Sequence, residues 1–174
     1  MAQYTIDPAH SEVTFKIRHL MISNVSGKFG TFSGSATAGE NFADADISFE
    51  ADVNSIDTGN AQRDEHLKSG DFFDTAAYPT LSFKSTSFAQ KSGADYTLTG
   101  DLTLHGVTKP VTLDVEYAGE MQDFYGNTKS GFEVKGKISR KEFGLEWSGV
   151  TEAGGVVLGD DVKLEANIQL TKQA

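Results

Sequence analysis

The sequence predicts an all-β protein, an eight-stranded antiparallel barrel made of a single domain, residues 1–174. Three observations favour it: apolar and polar residues alternate along many runs, glycine is frequent with 18 residues, and proline is rare with 3. Alternation turns one face of a strand toward a core and the other toward water. The predicted strands are 10–20, 25–38, 43–54, 80–88, 94–105, 109–118, 129–139 and 161–172.

The first two strands show the pattern and its one irregularity. In strand 10–20, Val13, Phe15 and Ile17 alternate with polar residues. In strand 25–38, Phe29 and Phe32 fall on opposite parities with glycines around them, which predicts a bulge or bend that brings both rings inward.

The remaining strands repeat the alternation, and the shared parity predicts which side chains face the barrel interior. We expect these side chains to contact any molecule bound there. They are Phe15, Ile17, Phe49, Phe83, Leu102, Leu104, Val134 and Leu164.

One short helix is predicted over 60–70, between the third and fourth strands. Thr58 or Asn60 is its candidate N-cap and Gly70 its stop signal. A helix of about ten residues is marginal in isolation, so it must pack on the barrel, and we place it across one mouth. Its apolar anchors, expected to line the entrance, are Leu67, Phe72 and Phe73.

Glycine-rich segment 140–160 lacks clear periodicity and predicts an extended loop, with a short turn near Phe143 and Leu145. Eight amphipathic strands fit either a sandwich or a barrel, and strands of ten to twelve residues favour an elongated barrel. Eight strands enclose just enough space for side chains or one small ligand. An apolar interior excludes a porin-like lumen, while a packed core and a ligand cavity both stay open.

Charge and composition exclude several functions. A net charge of −10 disfavours binding to nucleic acid or to anionic membranes, and the absence of cysteine excludes disulfides and thiolate chemistry. No segment approaches the roughly 20 apolar residues of a membrane span, so no stable membrane insertion is expected. Without a signal peptide at the N-terminus, the sequence predicts a cytoplasmic protein; the alternative is a periplasmic protein whose signal has been removed.

Catalytic and metal-binding motifs are not found in the sequence. No GxSxG elbow occurs around Ser148, and the glycines of 154–159 do not have GxGxxG spacing. The histidines lack the spacing of a metal site, so neither a metal nor a cofactor is expected. These histidines are His10, His19, His66 and His105.

Six blocks, with their spacing, carry a family resemblance across nearly the whole chain. They are TIDPAHSEVTFKIRHL at 5–20, VSGKFGTFSG at 25–34, RDEHLKSGDFFD at 63–74, LTLHGVTKPV at 102–111, ISRKEFGL at 138–145 and GDDV at 159–162. Together they resemble the YceI-like, lipid-binding family.

The resemblance implies a lipocalin-like extended barrel with the helix beside its opening. It implies binding of an isoprenoid lipid, such as a quinone or a polyprenyl phosphate, or of a fatty amide, by a carrier, storage or sequestering protein that is not an enzyme. Two alternatives stay open: an enzyme acting on a lipid headgroup, with Arg18, His19 or Arg140 near the mouth, and a stress-related structural protein with an incidental cavity. A homodimer is also left open.

A polar headgroup needs hydrogen-bond donors at the mouth of the barrel. An acidic protein has few basic side chains that can donate there. Arg18 and His19 end the first strand, and Arg63 and His66 lie on the predicted helix. We therefore expect these four residues to form the polar end of the site, with arginine suited to phosphate. The alternative is that Arg18 and Arg63 pair with surface carboxylates.

Overall fold

A computed structural model describes residues 1–20, 22–147 and 158–174. They form a closed antiparallel barrel of eight strands with one α-helix, which confirms the predicted fold class. No helix within these residues is long and apolar enough to cross a membrane.

Eleven hydrogen-bonded segments make up the eight barrel strands. They are β1 Ala2–Ile6, β2 Glu12–His19, β3 Ser23–Phe29, β4 Phe32–Ala38, β5 Asp46–Asp52, β6 Ile56–Asp57, β7 Thr80–Ser92, β8 Asp95–Leu104, β9 Val107–Gln122, β10 Thr128–Ser139 and β11 Leu158–Lys172. The helix α1 spans Ala61–Lys68. The pairs β1/β2, β3/β4 and β5/β6 are each one barrel strand with an interruption.

The barrel closes because the last strand pairs with the first. Each strand pairs with its neighbour along the chain, and β11 pairs with both β1 and β2, with Leu164 opposite Phe15. The sequence prediction missed β1, which pairs with β4 on one side and β11 on the other. The reason is local: Pro8 has no N–H and opens a 3₁₀ turn, Pro8–His10, that separates β1 from the alternating run that follows.

The bend predicted in the second strand is present between β3 and β4. Ser55 crosslinks it, because its carbonyl accepts from Gly30 N at 3.1 Å and its hydroxyl accepts from Thr31 N at 3.0 Å. Phe29 is buried in a small apolar cluster under the bend, and Phe32 packs against the same cluster.

The helix differs only in detail from its prediction. Asn60 is the N-cap and accepts from Arg63 N at 3.0 Å, and the helix ends at Lys68, before Gly70. The predicted turn is a 3₁₀ segment, Arg140–Phe143, followed by Gly144 in the left-handed region (φ 76°). The rest of the predicted loop, residues 148–157, lies outside the described residues.

A half-buried ion pair fastens the interruption between β1 and β2. Lys129 Nζ of β10 donates to Asp7 Oδ2 at 2.8 Å and to Thr171 Oγ1 at 2.7 Å. Hydrogen bonds from Lys129 and His10 lower the pKa of Asp7 from 3.8 to about 2. Because the pKa is lower in the folded state, the carboxylate stabilises the fold above about pH 4, and this contribution is lost as the pH falls toward 2.

We expect Asp7→Asn to lower the free energy of unfolding by up to about 2 kcal/mol near pH 7. In urea titrations followed by circular dichroism, the difference from wild type should shrink between pH 4 and pH 2. Asp46→Asn is the control, because the Asp46–Lys84 pair is equally short at 2.8 Å but about 60% exposed on both sides; it should cost less than about 1 kcal/mol. Equal, pH-independent losses in the two variants would contradict the assignment.

Candidate functional site

An apolar cavity of about 480 Å³ runs inside the barrel. This volume is in the range of small-molecule sites. Phe32, whose ring the bend was expected to turn inward, is not among the residues that line the cavity. The eight side chains that strand parity predicts to face inward line the wall, as do the helix anchors. These are Phe15, Ile17, Phe49, Leu67, Phe72, Phe73, Phe83, Leu102, Leu104, Val134 and Leu164. The interior is therefore not a fully packed core, and the space it leaves is lined mainly by aliphatic and aromatic groups.

Glycine on the inner face contributes to this space. Gly27 is paired with Phe15 across β2 and β3, and a Cβ at position 27 would collide with the Phe15 ring. The Phe15 ring therefore lies flat over the neighbouring backbone. We infer that glycine here lets a large side chain fold onto the wall and leave the centre open.

Four aromatic rings close one end of the barrel, which we call the plugged end. Phe42, in the connection between β4 and β5, lies 4.8 Å from Tyr4 and 4.8 Å from Phe132 between ring centroids. Tyr117 stacks on Phe132 at 5.1 Å. Sequence reasoning missed Phe42, because Asn41 and Phe42 both have positive φ and no local pattern predicts a non-glycine residue there.

A second aromatic cluster lies at the opposite end, beside α1, which we call the helix end. The ring centroids of His66, Phe72 and Trp147 are 5.0 to 5.2 Å apart, and all three side chains line the cavity. His66 Nε2 is 2.9 Å from Asp71 Oδ2. Phe72 is buried and Phe73 packs against the main apolar core, so the segment after α1 is fixed to the barrel by these two rings.

The predicted polar end is only partly assembled. His19, Arg63 and His66 line the cavity at the helix end, but Arg18 does not. Arg18 is exposed and shares the outward parity of Lys16, while Ile17 and His19 face inward. Arg18 is therefore not part of the cavity wall, since adjacent residues of a strand point to opposite faces. Its role at the mouth stays a prediction.

Arg63 is held by α1 and the residues before it. Its Nε donates to Thr58 Oγ1 at 2.8 Å and its Nη2 to the Thr58 carbonyl at 2.7 Å. Asp64 in turn accepts from the Thr58 hydroxyl at 2.6 Å. Among the described residues no ion pair joins Arg63 to a carboxylate. The alternative that Arg63 pairs with a surface carboxylate is therefore not what the structure has.

Arg140 is the basic residue that sequence reasoning placed only loosely near the mouth. It is 2% exposed and lines the cavity. Its Nε donates to the Gly159 carbonyl at 2.8 Å, and its Nη1 donates to the carbonyls of Leu145 and Trp147 at 2.6 and 2.7 Å. One guanidinium thus joins the start of β11 to the segment after β10.

Histidine and carboxylate side chains form no group of three or more that could hold a metal ion, within the described part of the chain. His105, at the turn between β8 and β9, is 3.1 Å through Nδ1 from the Phe143 carbonyl, and its ring lies 5.0 Å from that of Tyr78. This histidine therefore links two loops of the helix end.

Comparison with known proteins gives a consistent result. The model of the YceI-like domain family matches residues 4–170. Protein YceI of Escherichia coli is 45% identical over 148 residues, which cover 83% of this chain and 77% of that protein. Burkholderia cenocepacia BcnA superposes with a TM-score of 0.82 at 24% identity, covering 94% of this chain and 98% of BcnA. A polyisoprenoid binding domain from Saccharophagus degradans has a TM-score of 0.68 at 19% identity, covering 98% of both chains.

The plug should be essential for stability. We expect Phe42→Ala to lower the free energy of unfolding by about 3–5 kcal/mol, because a buried ring is removed from an aromatic cluster. Phe124→Ala is the matched control: Phe124 is fully exposed at the hairpin between β9 and β10, and its loss should change stability by less than about 0.5 kcal/mol. Urea denaturation measures both, and similar losses would refute the role of Phe42 as a plug.

Proposed function

Because this chain belongs to the YceI-like domain family, we propose that its barrel binds one long apolar lipid and acts as a carrier, storage or sequestering protein. The lipid classes that we propose are isoprenoid quinones, polyprenyl phosphates and fatty amides. The observation that carries the proposal is the apolar cavity of about 480 Å³ inside a closed barrel. The structural likeness to a domain named for polyisoprenoid binding supports it.

The energetics of burial favour a chain-like ligand. Each buried CH₂ contributes roughly 0.8 kcal/mol, so ten of them supply about 8 kcal/mol before the entropic cost of binding. Such a wall needs few polar contacts to hold a hydrocarbon tail. It discriminates poorly between tails of similar length, so we expect the polar end to determine selectivity.

A binding role is favoured over the alternative of an enzyme acting on an isoprenoid headgroup. Family membership and the named polyisoprenoid-binding neighbour both support binding. The candidate groups for catalysis, His19 and Arg140, lie on a largely hydrocarbon wall. Release of phosphate from a polyprenyl diphosphate by the purified protein would favour the enzyme.

We propose that the lipid enters at the helix end, past Leu67, Phe72 and Phe73. These side chains line the cavity beside Trp147, whereas four rings close the opposite end. Movement of the segment after α1 is then the step that admits or releases the tail.

We expect the double variant Phe72→Ala, Phe73→Ala to retain less lipid than wild type, by at least about threefold, because the entrance loses both rings. Native mass spectrometry of protein purified from cells measures occupancy as the fraction carrying a co-purifying mass of several hundred daltons. Circular dichroism checks that the barrel is intact. The matched control is Phe124→Ala, Tyr125→Ala, which removes two exposed rings from the hairpin between β9 and β10. Equal occupancy in both double variants would contradict the entrance.

Recognition of the headgroup can be tested separately from binding of the tail. We expect Arg63→Ala to weaken binding of a polyprenyl phosphate by about tenfold and binding of the bare hydrocarbon hardly at all, because Arg63 lines the cavity. Arg18→Ala is the control, since Arg18 has the same charge on the outer face. Isothermal titration of both ligands distinguishes them, and equal losses for phosphate and hydrocarbon would mean that Arg63 does not bind the headgroup.

A further inference from the structure

Arg140 is a buried cation whose hydrogen bonding is incomplete. Its Nε and Nη1 donate to three backbone carbonyls, but its Nη2 is buried with no partner within the part of the chain that the structure describes. Arginine carries five N–H donors, and both donors of Nη2 are left over. Buried polar groups in folded proteins are normally paired, so Nη2 keeps the capacity to donate to a further acceptor.

Within residues 1–20, 22–147 and 158–174, no carboxylate forms an ion pair with Arg140. No acidic oxygen of the described residues lies within 4.0 Å of its guanidinium, and the acid that influences it most, Asp160, is 59% exposed and pairs with Lys141 at 3.2 Å. Among the described residues that line the cavity, Glu165 carries the one carboxylate. Together with the larger effect of Glu133, its charge raises the pKa of Lys135. Burial lowers the pKa of Arg140 from its ordinary value, an effect of desolvation that Asp160 opposes. An uncompensated buried charge is costly, and the cost falls when an anion binds beside it.

The position of Arg140 determines where such an anion can come from. Arg140 lines the cavity together with Leu145, Trp147 and Leu158, all at the helix end. Its other donors hold the backbone on both sides of the loop, so the guanidinium is fixed in orientation.

We propose that Arg140 is an anion-binding group of the cavity, in addition to Arg63, and that the lipid carries an anionic oxygen head, a carboxylate or a phosphate, which pairs with Nη2. The inference rests on the proposed lipid-binding function and narrows its ligand class. The head then lies at the helix end and the tail extends toward the plugged end. Arg140 distinguishes ligands of equal chain length by their charge.

Ligands matched in chain length test this directly. Palmitate, hexadecanol and palmitamide share one tail, and farnesyl phosphate and farnesol form a second matched set. In wild type we expect palmitate to bind at least tenfold more tightly than hexadecanol or palmitamide, a difference of about 1.4 kcal/mol. Farnesyl phosphate should exceed farnesol similarly if the head is a phosphate, and only the palmitate series should discriminate if it is a carboxylate.

Two variants show whether Arg140 causes the tighter binding of palmitate. Arg140→Gln removes the charge and should bring the palmitate-to-hexadecanol ratio close to one. Lys141→Gln is the matched control, because it removes the same charge one residue away on a half-exposed side chain, and it should leave the ratio unchanged. A loss that is equal for acid and alcohol in Arg140→Gln would show a purely structural role and overturn the proposal.

A measurement on wild type keeps the test decisive if Arg140→Gln does not fold. With palmitate labelled with ¹³C at the carboxyl, the bound carboxyl should titrate well below its value in water, because the guanidinium favours the charged form. A bound carboxyl that stays protonated at pH 6, or equal wild-type affinities for palmitate and hexadecanol, would overturn the role of Arg140 and leave lipid binding intact. If neither tail binds at all, the proposed function itself fails.

Discussion

Closure of the barrel is the constraint on which the other features of this protein depend. A strand that lacks a neighbour exposes a row of unpaired N–H and C=O groups, and only a closed ring gives every strand two neighbours. Here the ring closes through β11, which pairs with both β1 and β2. The strand that β1 and β2 form is interrupted between them at Asp7–Ser11. The hydroxyl of Ser11 accepts from Gln169 N at 2.9 Å, so the interruption leaves the ladder connected by a side chain.

The closed wall also determines how much space the interior leaves between its side chains. With eight strands the wall is wide enough that inward side chains do not have to meet in the middle. The two ends then differ in chemistry: the rings of Tyr4, Tyr117 and Phe132 pack around Phe42 at the plugged end, whereas the helix end combines rings with His66, Arg63 and Arg140. The tail and the head of the proposed lipid would therefore meet different surroundings.

Period-two alternation explains why so much of the wall could be predicted from the sequence. Parity is a local property, and it predicted the inward positions from Phe15 to Leu164. Applied to Arg18, parity predicts the outer face that it shares with Lys16, whereas its expected place at the polar end of the site came from its position at the end of the strand. The features that were missed depend on breaks in regular backbone: the turn at Pro8 separates β1 from the alternating run, and Phe42 has positive φ. The burial of Arg140 depends on carbonyls of the loop and of β11, which nothing in the local Arg-Lys-Glu sequence indicates.

Trp147 is the only tryptophan of the chain, and it lies at the helix end against His66 and Phe72. Its indole is therefore an intrinsic optical probe of a single place in the molecule, free of background from other tryptophans. Fluorescence excited selectively at tryptophan reports on the cavity beside α1 without any label. Stopped-flow mixing with lipid vesicles can then follow the arrival of a ligand in real time, and the same signal distinguishes a change at this end from global unfolding when compared with circular dichroism.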